Sequence, residues 1–142
     1  MTRTPAQEVL AHSLDLLEAG DARGWVDLFA VDGVLEFPYA PTGWPDRFAG
    51  RDALWQQMEK FAEHLEVAFS GLEFHPTADP ELVIAEYRAD GRALRTGLEF
   101  HQRYISVVRV RGGEILLYRD FWNPLSHLAA LGGAEAALRI VA

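Results

Sequence analysis

The chain has 142 residues, 49% of them hydrophobic and 11% aromatic, which is typical of a compact domain with a buried core. Its net charge of −8 argues against nucleic-acid binding, because a phosphate backbone is bound by clustered basic side chains. Cysteine is absent, which excludes disulfides, thiolate nucleophiles and cysteine-bound zinc. No apolar run reaches membrane-spanning length, and the first residues lack the apolar core of a signal peptide, so we expect a cytoplasmic protein.

The first half of the chain predicts three helices and one strand. Apolar residues recur there at helical spacing, and glycine, proline or aspartate separates the periodic segments. In chain order we predict a helix from Thr4 and Pro5 to Gly20, a short helix capped by Asp21 that carries Trp25, Leu28 and Phe29, a turn at Asp32-Gly33, a strand over 34–39, a loop over 40–50, and a helix from Arg51 to about Glu66.

The second half predicts strands joined by short turns, which is the pattern of an antiparallel meander. Asp90-Gly91 and Gly112-Gly113 indicate tight hairpins, and helical spacing resumes over 124–140 with a break at Gly132-Gly133. With no linker or repeat, the chain is interpreted as one α+β domain over 1–142, in which three helices pack on a strongly curved, mostly antiparallel sheet around a cone-shaped pocket. The predicted strands cover 67–75, 82–89, 98–111 and 114–122.

Asp120 is the most unusual polar residue of the predicted sheet. The alternation of a strand places it on one face with Tyr118 and Trp122. If that face is buried, desolvation raises the pKa of the carboxyl group and makes it a usable proton shuttle near neutral pH. A solvent-facing aspartate paired with an arginine, or a buried structural carboxylate, would give the same sequence pattern.

The long strand over 98–111 carries two different faces. Tyr104 and Ser106 share one face with apolar residues, whereas His101 and Arg103 share the other with Glu99. We therefore expect Tyr104 and Ser106, rather than His101, to line a pocket, although a core tyrosine with a satisfied hydroxyl would look the same. On the preceding strand either Glu86 or Tyr87 faces the interior, and the pattern does not decide between them.

The loop that follows the first strand combines prolines with large aromatic side chains. Such a segment is stiff and apolar, so it fits either a rim over an apolar ligand or a contact with a second copy of the chain. Together with the strand residues it completes the predicted substrate-binding set: Phe37, Tyr39, Trp44, Trp55, Glu86, Tyr118 and Trp122.

Seven segments of the chain carry a resemblance to known families: Leu35-Glu36-Phe37-Pro38, Gly50-Arg51-Asp52-Ala53-Leu54, residues 85–91, Tyr104-Ile105-Ser106, Gly112-Gly113-Glu114-Ile115, residues 119–125 and residues 128–132. They resemble the SnoaL-like polyketide cyclases and the ketosteroid isomerases, which share the fold of nuclear transport factor two. The similarity spans nearly the whole chain, and the end of the chain is most similar to the small acid/base proteins of phenazine biosynthesis.

The resemblance implies that Asp120 is the acid of the last strand that transfers a proton in the phenazine and cyclase branches. The phenazine branch also has a glutamate at the place of Glu86. Three positions depart from these families. Phe37 stands where ketosteroid isomerases carry their base, Ser106 stands where they carry an acidic oxyanion donor, and Gln57 stands where the phenazine branch has a histidine.

These observations lead to a hypothesis of a cofactor-independent cyclase, isomerase or condensation catalyst of secondary metabolism. Asp120 would move a proton, and Tyr104, Ser106 or Tyr39 would donate a hydrogen bond to the developing oxyanion. The alternatives are a binding or accessory protein without chemistry of its own and a dimeric scaffold whose pocket is closed by side chains. The expected partners are a small apolar ring-type molecule and a second copy of the chain, with no metal, cofactor, nucleic acid or membrane.

Overall fold

The computed structural model describes residues 2–133, which form four helices on one curved, open six-stranded sheet. This confirms the predicted α+β class. No helix in this range is long and apolar enough to cross a membrane. In chain order the elements are α1 (Pro5–Glu18), α2 (Ala22–Asp27), β1 (Phe29–Glu36), β2 (Arg47–Ala49), α3 (Arg51–His64), β3 (Leu65–His75), β4 (Leu82–Ala93), β5 (Glu99–Arg111), β6 (Glu114–Trp122) and α4 (Pro124–Ala130).

The sheet has the strand order β2-β1-β6-β5-β4-β3. Strands β3 to β6 form the predicted antiparallel meander, and β1 joins β6 in parallel, with Leu35 beside Tyr118. The helices cover one face of this sheet and close the apolar core against it. The core side chains include Leu10, Trp25, Phe29, Leu54, Val108 and Ile115, all of which are almost fully buried.

The first helix begins as its sequence predicts. Thr4 accepts a hydrogen bond from the backbone of Gln7, and the Gln7 side chain accepts one from the backbone of Thr4. This capping box satisfies two backbone donors that a helix start leaves unpaired. Pro5 follows at the first helical position, where its missing N–H is not needed.

The predicted hairpin at Asp90-Gly91 is wrong. Strand β4 runs through both residues to Ala93, and the chain turns over 94–98 instead. Gly91 is required there for close approach, because a Cβ atom at this position would lie 1.8 Å from the carbonyl oxygen of Glu66 on β3. Glycine in this strand therefore indicates two crowded backbones rather than a turn.

Two further differences lie near the first strand. Phe29 and the Asp32-Gly33 pair belong to β1, whose pairing with β6 shifts register between Phe29 and Val34, so neither a helical Phe29 nor a turn is found. Within the predicted loop, Arg47–Ala49 forms the short edge strand β2 against β1.

The predicted helix over 124–140 is observed as α4 up to Ala130, and its part beyond residue 133 lies outside the described residues.

Candidate functional site

A cavity of about 120 Å³ lies between the inner face of the sheet and the helices. Most of its wall is aromatic or aliphatic, which suits an apolar ligand. The polar groups of the wall are few and come from different elements: Gln57, Tyr87, Tyr104, Tyr118, Asp120 and His127.

Strand register brings Asp120 and Ser106 together in this wall. The two residues are directly opposite one another on β6 and β5. The Ser106 hydroxyl donates a hydrogen bond of 2.5 Å to Oδ1 of Asp120, and the Tyr87 hydroxyl lies 3.4 Å from the same oxygen. Both contacts are made to Oδ1, so Oδ2 is the carboxylate oxygen available to a ligand.

The hydroxyl groups continue as a chain from Asp120 toward the first helix. Tyr87 lies 2.7 Å from Ser106 and 3.3 Å from Tyr118, hydroxyl to hydroxyl. The Tyr118 hydroxyl lies 3.5 Å from Ser13 Oγ, which donates to the Leu10 carbonyl at 2.6 Å. A buried chain of this kind holds each member in one orientation, because every hydroxyl that leaves the chain loses a partner in a low-dielectric interior.

Burial raises the pKa of Asp120 from 3.8 to about 7, and the hydrogen bonds from Ser106 and Tyr87 lower it only in part. The ion pairs found within residues 2–133 do not include Asp120, so the alternative of an aspartate paired with an arginine is not what the structure shows. Since a proton shuttle works best when its pKa lies near the ambient pH, this carboxyl group is suited to both accepting and releasing a proton.

Tyr104 offers a second polar group close to Asp120. Its ring stacks on Tyr87 with 5.1 Å between ring centroids, and burial, followed by the nearby Asp120 charge, raises its pKa well above 10. The phenol therefore stays protonated and can act as a hydrogen-bond donor. Trp25 also lines the cavity, and its buried Nε1–H has no hydrogen-bond partner among the residues described.

Aromatic side chains form the other end of the cavity. Phe37 and Trp122, two members of the predicted substrate-binding set, line this end and pack edge-on with 5.5 Å between their ring centroids. Trp44 reaches back from the loop to within 6.5 Å of Trp122 and 5.7 Å of His127, measured between ring centroids. The proline-rich loop thus covers the cavity, which is the first of its two predicted placements.

Three members of the predicted set lie elsewhere. Glu86 is on the outer face of β4, because the strand alternation gives the inner position to Tyr87. Tyr39 is 63% exposed and packs on Phe121 at the outer face, since β1 ends at Glu36 and alternation no longer fixes its side. Trp55 packs against Arg23, whose guanidinium carbon lies 4.0 Å from the centroid of the Trp55 ring. Successive residues of a helix point about 100° apart, and Leu54 takes the inward position.

Among the cavity residues that were not predicted as site residues, two are polar and come from α3 and α4. Gln57 projects from α3 beside Met58, and His127 projects from α4 between the aromatic rings. A histidine on a helix carries little sequence signal by itself. The usable signal was the position of His127 one turn after Asn123-Pro124, which starts a helix directly at the end of β6.

The outer face carries a separate polar cluster. Glu73, His75 and Glu86 bring their ligand-type atoms within 4.8 Å of one another, and His75 Nε2 lies 2.6 Å from Glu86 Oε2. These side chains are exposed or partly exposed. Their proximity follows from the pairing of Glu73 with Glu86 across β3 and β4 and from the hydrogen bond between His75 and Glu86. The cluster is on the opposite side of the sheet from Asp120 and is not part of the cavity.

Comparisons with known proteins agree with this fold. The sequence profile of the SnoaL-like domain matches residues 10–118. An uncharacterized PhzA/B-like protein of Pseudomonas aeruginosa is 61% identical over 136 residues, 96% of each chain. The phenazine biosynthesis protein PhzA1 of the same species is 31% identical over 120 residues, 79% of this chain and 72% of that one. The crystal structure of a Bacillus subtilis protein, provisionally named an isomerase, is similar with a TM-score of 0.87 and 37% identity, covering 92% of this chain and 94% of the other.

Proposed function

Because the chain belongs to the SnoaL-like family, we propose that it is an acid/base enzyme in which Asp120 transfers a proton on a small ring-shaped substrate. The family includes cyclases and isomerases, and the relatives named above favour a biosynthetic reaction of secondary metabolism. The observation that carries the proposal is the carboxyl group of Asp120 in an aromatic cavity, with its pKa raised to about 7.

The proton transfer uses the free oxygen of Asp120. Ser106 and Tyr87 hold Oδ1 in place, and Oδ2 takes a proton from a carbon next to a carbonyl group of the substrate. The same oxygen returns the proton to another carbon of the substrate in an isomerisation. In a cyclisation or an aldol-type condensation, the enolate carbon attacks a second carbonyl group, whose π bond breaks, and the proton goes to the resulting alkoxide oxygen. A positioned acid/base group of this kind typically contributes ~10²–10⁴-fold to the rate.

Tyr104 is the donor that we assign to the developing oxyanion. Its phenol stays protonated, and no residue of the described structure accepts its hydrogen bond. Ser106 has a different role from the predicted one, because its hydroxyl hydrogen is directed at Asp120. Ser106 therefore positions the carboxylate, and Tyr104 stabilises the oxyanion. One oxyanion donor of this kind is typically worth ~10²–10³-fold in rate.

The cavity volume limits the substrate. Ligand sites commonly enclose ~300–1,000 Å³, whereas a cavity of ~150 Å³ is enough for benzene. At about 120 Å³ the cavity is smaller than either, so it holds at most one small ring, bounded by Phe37, Trp44 and Trp122. A larger substrate would have to displace the loop that carries Trp44.

The proposal is testable without knowledge of the natural substrate. The protein should accelerate the exchange of deuterium from D₂O into the carbon atoms next to the carbonyl of cyclohexanone, followed by proton NMR. Asp120→Asn should lower the protein-catalysed exchange by at least ~10²-fold, the lower bound for a positioned acid/base group. Asp15→Asn, at an exposed position of α1, is the matched control and should retain the wild-type rate.

Two outcomes would contradict the proposal. Exchange by Asp120→Asn at the wild-type rate would remove Asp120 from the mechanism. Saturable binding of cyclohexanone by the wild type without accelerated exchange would favour the alternative, in which the protein binds a small molecule and performs no chemistry.

A second copy of the chain is the partner that we propose for the outer face of the sheet. Ile105 is 44% exposed there, beside Tyr39 and the oppositely charged Glu86 and Arg103. An apolar centre with both signs of charge around it suits pairing with an identical surface. Sedimentation at micromolar concentration should give the mass of a dimer, and Ile105→Glu should shift it to a monomer; a monomeric wild type would refute this pairing.

A further inference from the structure

His127 is a partly buried ionisable residue of the cavity that the proposed proton transfer does not use. It lies on α4, whose start is fixed to β5 by a double hydrogen bond. The Gln102 side chain donates to the Asn123 carbonyl and accepts from the Asn123 backbone N–H, both at 2.8 Å. The Asn123 side chain then caps the helix by accepting from Leu125. This attachment determines where His127 lies relative to the sheet.

Aromatic rings surround the imidazole of His127. Its ring centroid lies 5.2 Å from Trp122 and 5.7 Å from both Trp44 and Phe100. Burial lowers its pKa to about 4, so the imidazole is neutral at physiological pH. A neutral imidazole has one N–H donor and one nitrogen acceptor, and within residues 2–133 neither nitrogen is hydrogen-bonded. The ring is therefore a polar group that lines the cavity and has no hydrogen-bond partner among the described residues.

The position of His127 relative to Asp120 follows from the strand between them. Trp122, which His127 contacts, is two residues beyond Asp120 on the same face of β6, a separation of roughly 7 Å at 3.3–3.4 Å per residue. Tyr118 lies at the opposite end of this row, next to Trp25. His127 thus marks one end of the cavity, and Asp120 occupies its middle.

We propose that His127 determines substrate specificity by hydrogen-bonding an oxygen substituent on the ring, at the end remote from the atom on which Asp120 acts. The ligand class is a small ring that carries a hydroxyl or carbonyl oxygen. Either tautomer can pair with a hydroxyl group, because a hydroxyl both donates and accepts. The inference rests on the proposed function, because the reacting atom is the one from which Asp120 takes a proton. The binding preference itself can be measured without catalysis.

Phenol and toluene are the probes that test this inference, since they have nearly the same size and differ in one polar group. The dissociation constant of each is measured by NMR titration of wild type, His127→Leu, His127→Gln and His12→Leu. His12 is an exposed histidine of α1 and serves as the matched control. A neutral hydrogen bond is worth ~0.5–1.5 kcal/mol, so the preference for phenol over toluene should fall about 2- to 10-fold in His127→Leu. His127→Gln, which keeps a donor and an acceptor, should recover part of it, and His12→Leu should leave it unchanged.

The ring nitrogens of His127 give a second readout that requires no variant. Their ¹⁵N chemical shifts in the wild type should change on saturation with phenol and much less with toluene. An unchanged phenol preference in His127→Leu, or failure of the wild type to bind either ring, would overturn the inference. If His127→Leu does not fold, equal nitrogen shifts with the two probes overturn it. The deuterium exchange attributed to Asp120 is measured on other variants and with another molecule, so the two proposals fail separately.

Discussion

Replacing Asp120 with asparagine should make the protein more stable than the wild type, and increasingly so as pH rises. The pKa of Asp120 in the folded protein is about 7, above its ordinary value of 3.8, so between these values the folded state binds more protons than the unfolded state. Stability from this group is therefore complete below pH 3.8 and is lost as pH rises through 7. At about 1.4 kcal/mol per pKa unit, the whole loss is about 4 kcal/mol. Asparagine carries no charge at any pH, so the variant does not undergo this loss of stability.

Urea unfolding followed by circular dichroism measures this effect directly. About 1.5 kcal/mol of the loss is already present at pH 5, so the stability difference between Asp120→Asn and wild type should grow by about 2–3 kcal/mol between pH 5 and pH 8. Asp15→Asn, at its exposed position, should show a difference that hardly depends on pH. If the stability difference for Asp120→Asn stayed constant over this pH range, Asp120 would not be a buried, protonated group in the folded protein. That result would refute the reasoning.

Three further substitutions test the surroundings of the site. Ser106→Ala removes the 2.5 Å hydrogen bond that favours the charged carboxylate, so the pKa of Asp120 should rise by about one further unit in a ¹³C NMR titration; a fall would contradict the assigned hydrogen bond. Gly91→Ala places a Cβ against the Glu66 carbonyl and should lower the free energy of unfolding by at least ~1–3 kcal/mol, whereas wild-type stability would mean that the strands are not so close. Gln102→Ala breaks both contacts to Asn123 and should speed amide hydrogen exchange in α4 but not in α1; equal protection of α4 would show that this attachment does not hold it.

Much of the fold could be predicted from residue spacing because the helices and the last strands are regular. The capping residues Thr4 and Pro5 set the start of α1, and the alternation around Asp120 correctly gave the inner face of β6. The errors at Gly91 and at Gly33 have one cause. Glycine is used both in turns and where backbones approach closely, and only the paired strand shows which applies.

The site was less predictable, since it depends on which strands are neighbours. The pairing of Ser106 with Asp120 needs the β5–β6 register, and the choice between Glu86 and Tyr87 needs the β4–β5 register, which places Tyr87 opposite Tyr104. Tyr39 shows the limit of alternation, because the rule stops where the strand stops. His127 comes from a helix whose direction is determined by hydrogen bonds to Gln102, a contact between positions 21 residues apart.

The central claim is that Asp120 is a carboxyl group that exchanges its proton near neutral pH. A ¹³C NMR titration of the aspartate carboxyl carbons, assigned by comparison with Asp120→Asn, tests it most directly. The structure predicts that the Asp120 signal titrates with a midpoint near pH 7, because burial outweighs the hydrogen bonds from Ser106 and Tyr87. A midpoint near the ordinary value of 3.8 would contradict the claim, since the carboxylate would then be fully ionised at neutral pH and a poor proton donor.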